Sequence, residues 1–291
     1  MKRILSLLVA IALFFLNVTQ AGAQGISIVV TPGQIMQGEP FMIQIQGDAT
    51  TTEVKNILFD GAAVNVFTYD AIPTAFVGVP LSKKPGDYTV QAILKNGKTI
   101  GKTITIGARP NIEKPLGIPA KLGGDTTASA QNLVSTLTKD NKNLANLKTV
   151  HHALWSNAFA LPLLGSTTIT DPYGYTRQTD GFLIAHLGTD FHAVTGTPVM
   201  AMNRGIVRKA QFYATYGNTV VIDHGLGLFT FYMHLSKIKV AVGELVTQGQ
   251  IIGLTGSTGY ADGPHLHISV HIQGVSIDPM KFLNLIPLVY P

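Results

Sequence analysis

The sequence predicts a mainly β protein with two β domains joined by a short helical linker. Its 291 residues are enough for about two domains. Only 13% of the residues are charged, whereas 30 are glycine, a balance that favours strands and turns over helical bundles. Short apolar runs recur about every ten residues between turn-forming residues, which is typical of β-sandwiches and barrels. A hydrophobic content of 46% is sufficient for a sizeable core.

Residues 24–108 are predicted to form an immunoglobulin-like β-sandwich. Turn formers such as Pro32-Gly33 and Asn96-Gly97 separate strand-like runs. Seven such runs are predicted, at 26–30, 41–46, 54–59, 64–69, 74–79, 88–94 and 99–106. Along 41–46 the apolar residues Phe41, Ile43 and Ile45 occupy alternate positions, which indicates one buried face. The unit has neither histidine nor a carboxylate cluster, so we predict no catalytic site in it.

Residues 109–155 are predicted to be a linker with helices. Four leucines have spacings compatible with one helical face, namely Leu133, Leu137, Leu144 and Leu147. The polar stretch Asp140-Asn141 interrupts this pattern, so we expect a helical hairpin or two short helices. His151 and His152 are expected at a helix C-terminus, where the helix dipole stabilises an imidazolium.

The N-terminus has the pattern of a secretory signal peptide over residues 1–23. Lys2 and Arg3 precede an apolar run over 4–16, and Ala21-Gly22-Ala23 resembles a cleavage site. An uncleaved membrane anchor is the alternative, but the run is shorter than the roughly 20 residues that span a bilayer. No later run is long and apolar enough, so we expect no integral membrane segment after signal removal.

Net charge and cysteine content limit the binding partners and metal ligands that the protein can have. The formal net charge of +5 falls to +3 without Lys2 and Arg3. A mildly basic surface suits an anionic polymer, and no basic stripe interleaved with aromatic residues indicates nucleic acid. The chain has no cysteine, which excludes disulfides and thiolate metal sites. Any metal must therefore be held by His, Asp or Glu, and each β domain is expected to depend on its own apolar core.

Residues 156–291 are predicted to be an antiparallel β domain that carries the chemistry. Glycines separate strand-like runs at 198–202, 206–210, 219–223, 229–234, 251–254 and 265–271. Seven of the nine histidines lie in this unit. His192 is interpreted as structural, His224 as part of a strand-ending turn, and His271 as structural or exposed. His271 lies four residues beyond His267, too far along a strand to share a metal's first coordination shell.

The other histidines form a constellation with chemical meaning. His186 and Asp190 are four residues apart and can converge on one metal ion. His265 and His267 project from the same face of a strand, about 7 Å apart. Three protein ligands with a free position are typical of catalytic zinc sites, and His186, Asp190 and one histidine of this pair would supply them. The remaining histidine and His234 would then serve proton transfer and charge stabilisation.

An ordered series of motifs runs through residues 159–282. It resembles the catalytic domain of the lysostaphin-type zinc metallopeptidases, the LytM family of peptidoglycan endopeptidases. The motifs are His186-x-Gly188-x-Asp190, Gly196-Thr197-Pro198, Gly217-Asn218-x-Val220-Val221-Ile222-Asp223-His224-Gly225, Tyr232-x-His234-Leu235-Ser236, Gly256-Ser257-Thr258-Gly259, Gly263-Pro264-His265-Leu266-His267 and Asp278-Pro279. Their order and spacing agree with the family throughout.

The resemblance implies roles for individual residues. His186, Asp190 and His267 are then the Zn²⁺ ligands, and His234 and His265 are the catalytic histidines. Tyr175 and Arg177 lie in a segment that resembles the family's motif before the site. We expect them to bind substrate, although an exposed surface loop is an equally good interpretation.

The function implied is hydrolysis of the peptide cross-links of peptidoglycan by a zinc endopeptidase. No sorting signal, wall-binding repeat or lipoprotein cysteine is found, which favours a Gram-negative periplasm and D-alanyl–diaminopimelate bonds. The alternative is a non-enzymatic envelope factor that binds peptidoglycan or activates another hydrolase. We also expect the first β domain or the segment 110–155 to cover part of the active-site groove and restrain it, and a regulatory envelope protein of unknown identity is a further candidate partner.

Overall fold

A computed structural model describes residues 25–47, 53–115, 117–165 and 168–285. The predicted signal peptide lies outside these residues. Strands dominate the described residues, with two α-helices and one 3-10 helix, so the predicted mainly β class is confirmed. Neither α-helix has the length and apolar character needed to cross a bilayer.

The first unit is a sandwich of two sheets. Its strands are β1 (Ser27–Thr31), β2 (Ile35–Met36), β3 (Pro40–Gln46), β4 (Val54–Phe59), β5 (Ala62–Val64), β6 (Val66–Tyr69), β7 (Ile72–Gly78), β8 (Gly86–Leu94) and β9 (Thr99–Gly107). One sheet has the order β1-β3-β7-β6 and the other β2-β9-β8-β4-β5. Phe41, Ile43 and Ile45 on β3 and Ile57 on β4 are buried between the sheets, because alternate strand residues share a face.

The other face of β3 packs on the second unit. Met42 and Phe76 belong to the apolar core of that unit, and the Phe76 and Phe282 rings lie 6.5 Å apart. A Cβ on Gly78 would lie 2.9 Å from the Ile277 side chain, so the backbones approach closely there. The expectation of separate cores is therefore wrong in part. The first unit has its own core but also completes that of its neighbour.

The linker contains β10 (Glu113–Pro115), a 3-10 helix (Ala120–Leu122) and α1 (Thr127–Leu144). Thr126 caps α1 by accepting a hydrogen bond from the Ser129 N–H. The predicted hairpin or pair of helices is wrong, since α1 is one continuous helix. Its polar residues find partners in the second unit, because the Asp140 carboxylate accepts the Thr215 N–H at 2.7 Å. α1 ends before His151 and His152, which are exposed, so their predicted position at a helix C-terminus is also wrong.

The second unit is built on a large antiparallel sheet. Its elements are β11 (Ile169–Asp171), β12 (Thr176–Thr179), β13 (Phe182–Ala185), β14 (Thr189–His192), β15 (Pro198–Met200), β16 (Gly205–Tyr213), β17 (Gly217–Asp223), β18 (Leu228–Leu235), β19 (Lys237–Ile238), β20 (Leu245–Val246), β21 (Ile251–Leu254), β22 (His265–Ile272), β23 (Val275–Ile277) and α2 (Pro279–Leu285). The main sheet has the order β11-β14-β22-β18-β17-β16-β20, and β23 also pairs with β22.

Two small sheets flank the main sheet, with the orders β10-β12-β13 and β15-β21-β19. The linker strand β10 runs parallel to β12, so Lys114 lies beside Arg177. Along β22, Leu266 and Ile268 are buried in the core. Their neighbours His265 and His267 project from the opposite face, which α1 and the β12–β13 hairpin adjoin.

Candidate active site

Strand register brings an aspartate and a histidine together on two adjacent strands of the main sheet. Asp190 on β14 lies directly opposite His267 on β22. Directly opposed side chains of an antiparallel pair project from the same face. The His267 Nδ1 atom is consequently 2.6 Å from Asp190 Oδ1, and both residues are buried.

His186 completes a group of three from the segment before β14. Its Nε2 atom lies 3.2 Å from Asp190 Oδ1 and 3.1 Å from His267 Nδ1. One ligand atom from each of the three residues lies within 4.8 Å of the other two. Gly188 makes this approach feasible, since a Cβ there would lie 2.2 Å from His267 Nε2. Two imidazole nitrogens and a carboxylate oxygen form a donor set that suits a transition metal such as zinc.

Hydrogen bonds on the outer side of each imidazole fix its orientation. His186 Nδ1 is 3.0 Å from the Pro172 carbonyl, which can only accept, so Nδ1 carries the proton and Nε2 is free. His267 Nε2 is 3.0 Å from Ser269 Oγ, which in turn donates to the Leu187 carbonyl at 2.8 Å. Ser269 Oγ therefore accepts a hydrogen bond from His267 Nε2. The Nδ1 lone pair of His267 is left directed at the point where the three candidate ligand atoms converge. Such outer partners are typical of metal ligands.

A chain of charges holds the Asp190 carboxylate. Arg177 Nη2 lies 2.7 Å from Asp190 Oδ2 and 2.9 Å from Asp171 Oδ2. Lys114 Nζ reaches the other Asp171 oxygen at 3.1 Å. Burial acts to raise the pKa of Asp190, but without a bound ion His267 and His186, when protonated, donate to its carboxylate, outweigh burial and hold that pKa well below its ordinary value. Asp190 is therefore ionised, with Oδ1 facing the two histidines.

The structure gives a definite place to Arg177 and Tyr175, the residues that the sequence predicts to bind substrate. Arg177 lines the cavity at the site, but its guanidinium bridges two carboxylates. The Tyr175 ring faces Lys114 Nζ, 4.3 Å from the ring centroid, and the Tyr175 carbonyl accepts the His186 N–H at 2.7 Å. Both residues thus support the candidate metal ligands, and substrate contact by either stays a prediction.

Two further histidines lie beside the group of three. The ring centroids of His234 and His265 are 4.7 Å apart, and His265 Nε2 is 4.0 Å from Asp190 Oδ1. Each ring holds its Nδ1 against a backbone carbonyl, that of Thr258 for His234 and that of Gly263 for His265. Both Nε2 atoms are left for other partners. Burial, followed by the charges of His265 and His267, lowers the pKa of His234 to about 3.

A β-bulge sets the direction of the His234 side chain. Tyr232 pairs with Val220 and Leu235 pairs with Asn218, so two residues of β18 oppose one residue of β17. His234 is the second of the two, and its φ of 60° lies in the left-handed region that non-glycine residues seldom adopt. Bulges commonly redirect side chains beside active sites. A strand-end pattern in sequence gives no sign of this conformation.

A cavity of about 1200 Å³ extends from these residues along the sheet. The floor is formed by β18 and β22, and α1 contributes Leu133 and Leu137 to the opposite wall. His271, interpreted from sequence as structural or exposed, also lines this cavity. The sequence does contain a signal for this position. His271 lies two residues after Ser269 and four after His267, so on a strand all three side chains share one face.

The fold and the site together define a class of protein. Three converging ligands with open space on one side, next to two more histidines in a large cavity, are typical of hydrolytic metal centres. Within this class, residues 184–279 match the family model described as peptidase family M23.

Similar proteins agree with this assignment. Over 96 residues the chain is 46% identical to the peptidoglycan DD-endopeptidase ShyA of Vibrio cholerae, covering 33% of this chain and 22% of ShyA. Over 124 residues it is 38% identical to the DD-carboxypeptidase/endopeptidase Mpg of Neisseria meningitidis, covering 42% of this chain and 29% of Mpg. The match thus spans less than a third of either relative.

A solved structure resembles most of the chain. The crystal structure of an M23-type protein from Pseudomonas aeruginosa has a TM-score of 0.60 and 25% sequence identity, covering 85% of this chain and 94% of that protein. The similarity therefore extends beyond the M23 domain to the mainly β fold as a whole.

Proposed function

We propose that this protein is a zinc-dependent endopeptidase that hydrolyses peptide cross-links of peptidoglycan. The observation that carries the proposal is the convergence of His186, Asp190 and His267 beside His234 and His265. The match to the M23 family model supports the reaction type, and the similarity to ShyA, which is named as a peptidoglycan DD-endopeptidase, supports the substrate class.

The residues present fit a zinc ion. Both histidines offer a lone pair toward the same point because their other nitrogens are engaged, and Asp190 offers Oδ1 because Arg177 engages Oδ2. Zinc in such a site supplies a Lewis acid that polarises a carbonyl group and acidifies water. Gly188 leaves room for the His267 ring, and a larger residue there would displace a ligand.

The two flanking histidines supply proton transfer. Since each Nδ1 donates to a backbone carbonyl, each Nε2 presents a lone pair to the cavity. One imidazole accepts the proton of the attacking water. The other takes up a proton from solvent and then donates a hydrogen bond to the carbonyl oxygen as negative charge develops there, while the proton of the water passes to the departing amine nitrogen. The lowered pKa of His234 keeps that ring in the accepting form at neutral pH.

The proposal includes the substrate bond and the compartment. We propose the D-alanyl–diaminopimelate bond and a Gram-negative periplasm, and the DD-endopeptidase activity in the names of ShyA and Mpg supports a bond between two D-centres. The net charge of +3 that remains without Lys2 and Arg3 suits an anionic wall polymer. The alternative function, a non-enzymatic envelope factor, does not require five such residues to converge, so we favour the enzyme.

Digestion of purified sacculi tests the proposal. The zinc-loaded protein is expected to release peptide fragments that mass spectrometry identifies, and His186→Ala and His265→Ala should abolish the release. His151→Gln is the matched control, because His151 is exposed and outside the cavity lining. If the zinc-loaded wild type releases nothing from cross-linked sacculi, the enzyme proposal fails.

A further inference from the structure

His271 presents an imidazole to the cavity without a protein partner. It lies on the same face of β22 as His267 and Ser269, and its ring packs against Phe231 with centroids 4.3 Å apart. Within the described residues, neither ring nitrogen has a hydrogen-bond partner, and the residue is only half-buried. Structural histidines are normally satisfied by hydrogen bonds. A half-buried imidazole open to a cavity therefore has hydrogen-bonding capacity left for a ligand.

Beside the Phe229 and Phe231 rings, uncharged polar side chains line the end of the cavity where His271 lies. Gln273 and Ser276 contribute from the same end of the sheet, and Asn65 contributes from the first β unit. Asn65 is fixed there because its Nδ2 donates to the Leu226 carbonyl at 2.7 Å. Side-chain amides offer both donors and acceptors, which match the N–H and C=O groups of a peptide backbone.

The distance from the metal ligands agrees with a peptide of a few residues. Four residues of an extended strand separate His271 from His267, a rise of about 13 Å. An extended peptide lying along β22 would reach His271 with its third or fourth residue from the scissile bond. Burial, followed by the charge of His267, lowers the pKa of His271 to about 4, so at neutral pH the ring has one donor and one acceptor.

We propose that His271, Asn65 and Gln273 form a distal subsite that hydrogen-bonds backbone amides of the substrate peptide three or four residues from the cleaved bond. The identity of the ligand rests on the proposed function. The subsite gives the first β unit a direct part in substrate recognition, since Asn65 belongs to that unit. It also selects for long stem peptides over short ones.

Binding measurements on a silenced protein test the subsite apart from catalysis. The probes are two cross-linked stem-peptide dimers prepared from sacculi, one with full stems and one trimmed to the residues beside the cross-link. Calorimetric Kd values are measured on zinc-loaded His265→Ala protein, with and without His271→Ala. Loss of one or two hydrogen bonds should weaken binding of the full dimer about five- to tenfold and leave the trimmed dimer unchanged.

Further variants separate the subsite from a folding defect. Asn65→Ala, on the other β unit and exposed, should weaken the full dimer selectively as well, whereas His151→Gln should not. Zinc affinity by chelator competition should equal that of the parent in each variant. Equal weakening of both dimers, or no weakening of the full dimer, would overturn the subsite. Failure of wild-type protein to cleave sacculi would instead count against the proposed function, because the binding comparison does not depend on cleavage.

Discussion

Arg177 Nη2 lies 2.7 Å from Asp190 Oδ2, on the opposite side of the carboxylate from the two histidines. The pairing leaves Oδ1 directed at the shared ligand point. Arg177 is itself held by Asp171, which Lys114 of the linker also contacts. The orientation of a proposed metal ligand thus depends on residues outside the matched M23 segment, 184–279.

Replacing this arginine should weaken metal binding. Arg177→Met removes the charge and both hydrogen bonds, so the carboxylate is free to rotate and we expect zinc affinity to fall about 10- to 100-fold. The zinc affinity of Arg177→Lys should lie between those of wild type and Arg177→Met, because lysine keeps the positive charge but lacks the planar guanidinium with its paired donors. Competition with a chromogenic chelator measures the affinity. Arg204→Met, at an exposed side chain, is the control, and an unchanged affinity in Arg177→Met would contradict the role.

Gly188 should be intolerant of even one methyl group. In Gly188→Ala the new Cβ would lie 2.2 Å from His267 Nε2 and 2.6 Å from the Ile268 carbonyl, so a ligand must shift. We expect zinc affinity and hydrolysis of sacculi to fall at least tenfold. Gly33→Ala is the matched control, since a Cβ at that position would have no atom within 4 Å among the described residues. Equal zinc affinities of the two alanine variants would show that the site accommodates the methyl group.

Stability should fall in acid because His224 is buried in its neutral form. Its Nδ1 donates to the Arg204 carbonyl and its Nε2 lies 2.8 Å from Thr230 Oγ1, which can donate to it. Burial lowers the pKa of His224 to about 4, against a partial opposing effect of the Arg204 carbonyl and Asp223. The unfolded state therefore binds more protons between pH 6.5 and 4. The contribution is present above pH 6.5 and is lost as the pH falls toward 4.

The size of this effect is about 3 kcal/mol, from the shift of the pKa at about 1.4 kcal/mol per unit. Urea unfolding of zinc-loaded protein at several pH values measures it. The free energy of unfolding of wild type should decline more steeply between pH 6.5 and 4 than that of His224→Asn. His151→Asn, at an exposed position, should keep the wild-type slope. Parallel curves for wild type and His224→Asn would contradict the assignment.

Periodicity predicts the strands well because it depends on local burial. The alternation on β3 and the two-residue spacing of His265 and His267 both follow from the strand repeat, and the structure has the strands that they predict. Strand register cannot be predicted from local periodicity. Nothing near Asp190 in the sequence indicates that it pairs with His267 on the neighbouring strand. The choice between His265 and His267 as the third metal ligand therefore depends on the family resemblance.

Structural features that depend on residues distant in the sequence cannot be predicted from local patterns either. The polar residue Asp140 has the character of a helix breaker, yet it stays helical because the Thr215 N–H satisfies it from 75 residues away. Met42 occupies the outer face of a sandwich strand, yet the second unit covers it. The bulge at His234 and the cavity position of His271 likewise depend on neighbouring strands.

The helix α1 should restrain access of large substrates to the cavity. It contributes Leu133, Leu137 and Leu144 to the wall facing the sheet, and Asp140 fastens it to the Thr215 N–H. Asp140→Ala removes that hydrogen bond to a charged group, which is worth about 1.5–3 kcal/mol. Weaker docking should raise the rate of hydrolysis of intact sacculi about two- to fivefold, while hydrolysis of small soluble dimers changes little.

The comparison of intact sacculi with small dimers distinguishes a restraint on access from a general change in activity. Lys139→Ala, one residue earlier and exposed, is the matched control and should leave both rates as in wild type. Asp140→Ala should also expose the helix to limited proteolysis earlier than the control, which shows that docking was weakened. If docking weakens but the rate on sacculi does not rise relative to that on dimers, then α1 is a wall of the binding site and not a restraint. In that case a further loss of binding, measured as a higher KM for dimers, is the expected result.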